Sequence, residues 1–250
     1  MKAIVFAAGI GSRLKPFTDS HPKALAPVGQ DTALGFVLRR LVAAGADTVV
    51  VNVHHFADQV KEWLATHPCG ARIVVSDESD ELLDTGGAIA KIYRDGLFDD
   101  CLAEDEPVVV HNADILTDIS IAGLCACAEG VDAAIFADTA RRTGRMLLFD
   151  DERMLRGWTN TATGAVRPDG INPEDYTPAA FDGVHCIYRH TMAAINSYCG
   201  EHLHPFGIMD FYLDNCRSGC AIRRYTPEPP FRWADIGTTE RLTRAQELFK

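Results

Sequence analysis

The first half of the chain alternates short apolar runs with segments in which apolar residues recur at helical spacing. An apolar run bounded by turn residues is typical of a buried strand, whereas apolar positions three and four residues apart indicate a helix. The runs predict strands at residues 3–7, 48–53, 72–76 and 107–111. The spacing predicts helices at residues 34–41, 56–64 and 85–93. Such alternation predicts a parallel sheet covered by helices on both faces.

After about residue 130 the pattern changes to shorter strands separated by turns. Strands are predicted at residues 133–137, 146–149, 154–158, 184–188 and 220–225. Helices are predicted at residues 191–198, at 207–217 and from about Thr238 onward. The segment 159–180 is polar and rich in glycine and proline, which predicts a loop or lid. We interpret residues 1–250 as one domain, because the second half has the pattern of an insertion on the same sheet.

Composition and charge restrict the possible partners. The apolar and charged shares, 47% and 24%, are those of an ordinary soluble globular protein. No apolar run approaches the about 18 residues of a membrane-spanning helix, and we expect a cytoplasmic protein without a membrane partner. The net charge of −11 disfavours nucleic acid as a partner, since nucleic-acid binding calls for a basic face. It does not exclude a phosphate substrate, which a few focused cations can hold.

The eight cysteines contain no pair with Cys-x-x-Cys spacing, and a chain of this length needs no disulfide staples. Reduced thiols are therefore expected. The sequence leaves the oligomeric state open between a monomer and a small homo-oligomer.

A glycine-rich loop directly follows the first predicted strand. Gly9 and Gly11 allow backbone N–H groups to approach an anion closely. Ligands of parallel sheets bind beyond the carboxyl ends of the strands, so the loops at 8–24, 77–87 and 112–118 are expected to share one rim. The sequence therefore predicts an anion site at this rim.

Two common phosphate-binding patterns do not fit this loop. The dinucleotide fingerprint requires a third glycine where Leu14 stands and an acidic residue at the end of the second strand, where residues 52–54 read Asn-Val-His. The P-loop pattern requires a Gly-Lys-Ser/Thr sequence that is absent here. A dinucleotide-dependent oxidoreductase is accordingly disfavoured.

Residues 9–28, GIGSRLKPFTDSHPKALAPV, carry a specific resemblance. They resemble the signature of the sugar-1-phosphate nucleotidyltransferase family, Gly-x-Gly-Thr-Arg-Leu-x-Pro-x-Thr followed by Pro-Lys-x-x-x-Pro-Val. Ser12 replaces the usual threonine and keeps its hydroxyl. Four further segments are similar to family motifs in the same order: ELLDTGG at 81–87, NAD at 112–114, FDGVH at 181–185 and WADIGT at 233–238. The resemblance covers nearly the whole chain and is weakest at 138–180.

The resemblance implies an α/β fold: a Rossmann-like, mostly parallel sheet flanked by helices, similar to glycosyltransferase A, with a sugar-side β insertion in the second half. It implies a nucleotide-binding half at 1–130 and a sugar-binding half at 131–250. The reaction implied is transfer of a nucleoside monophosphate from a nucleoside triphosphate to a sugar 1-phosphate, which yields a nucleoside diphosphate sugar and pyrophosphate. The implied cofactor is Mg²⁺.

The family motifs also imply site residues. Arg13 and Lys23 are the expected catalytic cations, because a guanidinium fork and an ammonium can neutralise phosphate charge. Asp114 and Asp235 are the expected metal ligands, since Mg²⁺ favours one or two carboxylates together with phosphate oxygens. The expected nucleotide-binding residues are Ala7, Ala8, Gly9, Gly11, Ser12, Arg13, Thr85, Gly86 and Gly87. The expected sugar-binding residues are Glu81, Asn112 and Gly183.

The substrates are less well defined than the reaction. Within the family the chain looks most like N-acetylmuramate 1-phosphate uridylyltransferases, which favours UTP with N-acetylmuramate 1-phosphate. Mannose 1-phosphate guanylyltransferases are nearly as similar, so GTP with mannose 1-phosphate or a related sugar phosphate stays open, as does CTP with phosphocholine. A non-catalytic nucleotide-binding regulatory module is the alternative from another class. The joint presence of two acids and two bases at the predicted site counts against it.

Overall fold

The computed structural model describes residues 1–141 and 143–249, which contain fourteen strands and seven α-helices. The strands are β1 (Lys2–Phe6), β2 (Pro27–Val28), β3 (Asp31–Thr32), β4 (Thr48–Val53), β5 (Arg72–Asp77), β6 (Val108–Asn112), β7 (Ile115–Thr117), β8 (Ala133–Asp138), β9 (Arg145–Phe149), β10 (Leu155–Asn160), β11 (Val166–Arg167), β12 (Thr177–Ile187), β13 (Ile222–Tyr225) and β14 (Trp233–Asp235). The helices are α1 (Ala33–Ala43), α2 (Ala57–Thr66), α3 (Asp84–Arg94), α4 (Ile121–Ala128), α5 (Arg189–Cys199), α6 (Ile208–Asn215) and α7 (Thr239–Leu248).

The central sheet has the order β5-β4-β1-β6-β12-β8-β13, and only β12 runs against its neighbours. Successive residues of β1 point to opposite faces of the sheet, and Ala3, Ile4 and Val5 are all fully buried. Helices cover both faces, which explains why the strands read as continuous apolar runs. The predicted mostly parallel α/β fold is confirmed.

Strand β12 joins the central sheet to a smaller antiparallel one. Its first residues pair with β9, and β10 and β11 continue from β9 in antiparallel order. Its last residues pair with β6 and β8, and the register with β8 shifts between Phe181 and His185. Gly183 lies in this shift with a φ of +79°, a conformation that favours glycine in a bulge. The small sheet corresponds to the β insertion that was predicted for the second half of the chain.

The prediction of a loop or lid at 159–180 is wrong in part, because strands occupy both ends and the middle of the segment, whereas residues 161–165 and 168–176 lie outside strands. Strand β10 extends to Asn160, β11 follows at Val166–Arg167, and β12 begins at Thr177 rather than near Val184. These strand residues are small or polar because they lie in an antiparallel sheet, where apolar and polar positions alternate or are partly exposed. Such strands lack the continuous apolar run that identifies a buried parallel strand.

Three apolar clusters hold the layers together. One packs α1, α2 and α4 on one face of the sheet, and another packs α3, α5 and α6 on the opposite face. The third joins Leu14 of the glycine-rich loop to Leu116 of β7, Ile236 and Leu242 of α7. The third cluster therefore fixes the first loop of the chain against its C-terminal segment.

In the described part of the chain, no helix combines the length and the apolarity needed to cross a membrane. The eight cysteines are free thiols, and four of them are buried. Burial raises the pKa of Cys220 to about 12, which keeps this sulfur in its unreactive thiol form.

Two buried histidines are predicted to make the free energy of unfolding depend on pH. Burial lowers the pKa of His111 to about 4 and that of His185 to about 3, from an ordinary value of 6.5. The unfolded chain therefore binds more protons than the folded chain between about pH 6.5 and 4. Each histidine is expected to lower the free energy of unfolding by up to about 1.4 kcal/mol per pH unit as the pH falls through this range.

Urea unfolding at several pH values measures this effect. His185→Gln is expected to give a shallower decline than the wild type between pH 6.5 and 4.5, whereas the exposed His202→Gln leaves the slope unchanged. Burial also raises the pKa of Asp182 to about 7, which opposes the histidines and is common to all three proteins. Equal slopes in wild type and His185→Gln would contradict the prediction.

Candidate active site

The carboxyl ends of β1 and β6 open into a cavity of about 500 Å³. The start of α3 and the turn before α7 complete its wall. Most of the predicted site residues line this cavity: Ala7, Ala8, Gly9, Gly11, Ser12, Arg13, Lys23, Thr85, Asn112 and Asp114. The structure thus brings three loops that are far apart in sequence to one rim.

A buried polar network fixes the first residue after β1. The backbone N–H of Ala7 donates to Asn52 Oδ1 at 2.8 Å, and Asn52 Nδ2 donates to Glu78 Oε1 at 2.9 Å. Glu78 is 2% exposed and also accepts from the N–H of Leu83 at 3.3 Å. Burial raises the pKa of the Glu78 carboxyl, although the hydrogen bond from Asn52 acts to lower it. The network connects the ends of β1, β4 and β5 beneath the cavity.

The two loop glycines have different structural roles. Gly11 has a φ of +67°, and a Cβ there would lie 2.9 Å from both Lys23 Cβ and Thr18 Cγ2. The Gly11 carbonyl accepts from the N–H of Leu14 at 2.8 Å and from the Thr18 hydroxyl at 2.9 Å. A Cβ at Gly9 would meet nothing within 4 Å. Gly11 is therefore required by the fold of the loop, while Gly9 leaves space open on the cavity side.

Lys23 and Asp114 form a short ion pair across the cavity floor, in which Lys23 Nζ donates to Asp114 Oδ2. Their side chains are 12% and 31% exposed, so the pair is partly shielded from water. The backbone places Asp114, because the N–H of Ala113 donates to the Phe6 carbonyl at 3.0 Å. Partial burial strengthens a charged hydrogen bond of this kind.

Asp235 is brought beside Asp114 by pairing of two short strands. In the β7–β14 ladder Asp235 is opposite Ile115, and the N–H of Ile236 donates to the Asp114 carbonyl at 3.0 Å. The Asp235 carboxylate accepts from the N–H of Gly237 at 3.0 Å and from Arg241 Nη1 at 2.9 Å. Gly237, rather than Asp235, lines the cavity.

The two aspartates supply hard oxygen donors of the kind that Mg²⁺ accepts, and both lie at the same end of one strand pair. No group of three or more histidine, cysteine or acidic side chains suited to a metal occurs within residues 1–141 and 143–249. The donor set fits an ion that takes its remaining ligands from phosphate and water.

Four other predicted residues lie outside the cavity wall. Gly86 and Gly87 are buried in α3, where both N–H groups donate to the Phe206 carbonyl, at 2.8 and 3.4 Å. Glu81 is exposed and lines neither this cavity nor the larger one beside it. Gly183 lies behind Asn112, since a Cβ on it would be 3.0 Å from Asn112 Nδ2. Their predicted contacts with a base or sugar remain predictions.

A second cavity of about 990 Å³ lies between the small antiparallel sheet and α6. Asp84 lines both cavities and has a φ of +56°. Such a φ is uncommon for a residue other than glycine, and residues with this conformation are concentrated at functional sites. The lining of the second cavity includes Arg141, Trp158, Asn160, Arg167, Phe181 and Met209. The two cavities thus meet at the start of α3.

Several residues that line or support these cavities were not predicted from the sequence. The signal for Asn52 was a polar residue near the end of an apolar strand. The signal for Asp84 was its place in the DTGG segment, at a position that the family motif leaves variable. Leu82 and Pro205 also line the first cavity, but nothing in their local sequence distinguishes them from ordinary loop residues.

Comparison with known proteins identifies the family of the chain. Residues 3–172 match the MobA-like NTP transferase domain family. An N-acetylmuramate alpha-1-phosphate uridylyltransferase from Caulobacter vibrioides is 34% identical over 190 residues, which is 73% of each chain. A protein with the same name from Neisseria meningitidis is 36% identical over 120 residues, 48% of this chain and 49% of its own.

The fold also resembles solved structures. The crystal structure of HddC from Yersinia pseudotuberculosis has a TM-score of 0.74 at 20% identity and covers 100% of this chain and 99% of its own. This likeness confirms the predicted fold similar to glycosyltransferase A. The chain belongs to the MobA-like NTP transferase domain family and is a nucleotidyltransferase.

Proposed function

We propose that the enzyme transfers UMP from UTP to N-acetylmuramate 1-phosphate, producing UDP-N-acetylmuramate and pyrophosphate. The similarity to the Caulobacter uridylyltransferase over 73% of both chains supports this choice of substrates. The observation that carries the proposal is the junction of two cavities at Asp84, one with Arg13 and Lys23 for a triphosphate and a larger one beside it. GTP with mannose 1-phosphate or a related sugar phosphate, and CTP with phosphocholine, are the alternative substrate pairs.

In this proposal residues 1–130 bind the nucleotide and residues 131–250 contribute the sugar side of a single domain. The triphosphate lies against the loop from Ala7 to Arg13, with Thr85 near the base and Gly86 and Gly87 behind it. The sugar occupies the second cavity, and Asn112, Gly183 and Glu81 remain its predicted contacts near the junction. A cytoplasmic location supplies the triphosphate and fits the eight free thiols.

The proposed reaction begins with attack of a phosphate oxygen of the sugar 1-phosphate on the α-phosphorus of UTP. A new oxygen–phosphorus bond forms, and the bond between the α-phosphorus and the bridging oxygen breaks to release pyrophosphate. Both reactants are anionic, so positioning and charge neutralisation supply most of the catalysis. Arg13 can stabilise the departing pyrophosphate with its planar fork, and Lys23 can neutralise charge where the two phosphates meet.

Asp114 and Asp235 would hold the Mg²⁺ ion of the family. When bound, the ion supplies charge neutralisation and a fixed orientation for phosphate oxygens. Lys23 and Arg241 balance the two carboxylates and keep them in place.

Pyrophosphate release with Mg²⁺ across four triphosphates and several acceptors tests the proposed function. The acceptors are N-acetylmuramate, N-acetylglucosamine, glucose and mannose 1-phosphates, together with phosphocholine. UTP with N-acetylmuramate 1-phosphate is expected to give the highest kcat/KM. Greater activity with another pair would overturn the substrate assignment. No pyrophosphate release with any pair would overturn the proposed reaction.

Asp114→Asn is expected to lower kcat by at least about 100-fold, because an amide is a poor ligand for Mg²⁺ and no longer pairs with Lys23 as an anion. Steady-state kinetics and circular dichroism measure the loss and check that the fold is retained. Asp100→Asn is the control, since Asp100 forms an exposed ion pair with Arg72 outside both cavities. A normal rate in Asp114→Asn would remove Asp114 from the active centre.

Lys23→Ala is expected to raise KM for the anionic substrates by about 10- to 100-fold, because it removes a charged hydrogen-bond donor from the cavity. Lys61→Ala removes a partly exposed lysine that pairs with Asp77 outside both cavities, and it is expected to leave KM unchanged. Initial rates over a range of each substrate distinguish the two. Unchanged constants in Lys23→Ala would refute its assigned role.

A further inference from the structure

Arg141 lies on the wall of the second cavity, in the connection between β8 and β9. Its guanidinium is held from three directions. Nε forms an ion pair with Asp182 Oδ1, and Nη2 donates to the Phe181 carbonyl. Its Cζ is 4.6 Å from the centre of the Trp233 ring, within the range of a cation–π interaction. The side chain nevertheless remains 26% exposed.

The carboxylate behind Arg141 is almost completely buried. Asp182 is 1% exposed and lies in the β12 bulge next to Gly183. Its Oδ2 accepts from the N–H of Asp138 at 2.9 Å, and its carbonyl accepts from Trp233 Nε1 at 3.1 Å. Burial raises the pKa of Asp182 to about 7, although the charge of Arg141 acts in the opposite direction.

Such a pair is a costly way to stabilise a fold. Removing a carboxylate from water carries a desolvation penalty that its attraction to one arginine often fails to recover. The arrangement does, however, fix one orientation of a guanidinium at a cavity wall. Preorganised cations of this kind bind phosphate or carboxylate groups with little loss of side-chain entropy.

The other charges around the cavity make Arg141 the best-positioned cation. Arg145 and Arg167 also line the wall, but the Arg145 side chain is exposed to solvent, and two carboxylates neutralise Arg167, Asp210 at 2.9 Å and Asp214 at 2.6 Å. Arg141 also packs on the strand that carries a predicted metal ligand, because the Trp233 ring under its guanidinium belongs to β14, which ends in Asp235. An anion that enters the second cavity and binds Arg141 would therefore contact a residue held by that strand.

We propose that Arg141 recognises an oxyanion of the acceptor, either its phosphate or a carboxylate on its sugar, and that Asp182 and Trp233 are positioning residues for this arginine. The inference rests on the proposed function, because it assumes that the acceptor occupies the second cavity. It identifies a specificity residue in the segment where the resemblance to known family motifs is weakest.

Calorimetric titration with each substrate alone tests the inference without requiring turnover. N-acetylmuramate 1-phosphate carries a phosphate and a carboxylate, whereas N-acetylglucosamine 1-phosphate carries only the phosphate. Arg141→Gln is expected to raise the acceptor Kd about 10- to 100-fold and to leave the Kd of Mg²⁺-UTP within twofold of wild type. Weaker binding of both acceptors by Arg141→Gln assigns the phosphate as the recognised group. Weaker binding of N-acetylmuramate 1-phosphate alone assigns the carboxylate.

Two further variants separate recognition from folding. Arg141→Lys keeps the charge but loses the planar fork, so its acceptor Kd is expected to lie between those of wild type and Arg141→Gln. Asp182→Asn is expected to weaken acceptor binding in the same direction, with UTP binding retained. Arg72→Gln serves as the matched control, because Arg72 is an exposed arginine that also pairs with an aspartate, Asp100, but lies outside both cavities.

The inference is overturned if Arg141→Gln binds both acceptors like wild type, if UTP and acceptor binding weaken equally, or if wild type binds neither acceptor. Failure of the proposed function has a different signature, since wild type would then release no pyrophosphate in the substrate matrix or would release it faster with another substrate pair.

Discussion

The ion pair between Lys23 and Asp114 is the contact on which the organisation of the site depends. Lys23 belongs to the loop after the first strand, and Asp114 follows the fourth strand of the parallel set. Because β1 and β6 are parallel neighbours, their carboxyl ends meet, and the two residues come together although 91 positions separate them. The pair places the cation predicted to bind phosphates directly against the acid predicted to bind the metal.

The C-terminal segment completes this arrangement through packing rather than through charge. Strand β14 pairs with β7, so the residues that follow β6 in sequence become the docking site for residues 233–237. The apolar cluster around Leu14, Leu116 and Ile236 then fixes the glycine-rich loop against the same strands. Consequently one small ladder determines the positions of the loop, of Asp114 and of Asp235.

The parallel half of the fold was predictable because fully buried strands leave continuous apolar runs, and the rim rule then placed Arg13, Lys23 and Asp114 together. Strand β9 and most of β10 were predictable as well, but β11 and the start of β12 were not, since they carry small and polar residues that resemble a loop. Asp84 and Arg141 were not predicted for another reason. Asp84 is distinguished by its backbone conformation and Arg141 by a buried partner 41 residues away in sequence, and no local sequence pattern records either feature.

A crystal structure with Mn²⁺ and a non-hydrolysable UTP analogue tests the central claim most directly, because Mn²⁺ can replace Mg²⁺ and is visible by anomalous scattering. The account predicts one metal peak at the edge of the first cavity where Gly237 lies, in contact with carboxylate oxygens of Asp114 and Asp235 and with phosphate oxygens of the nucleotide. A nucleotide bound elsewhere, or a metal that contacts neither aspartate, would contradict it.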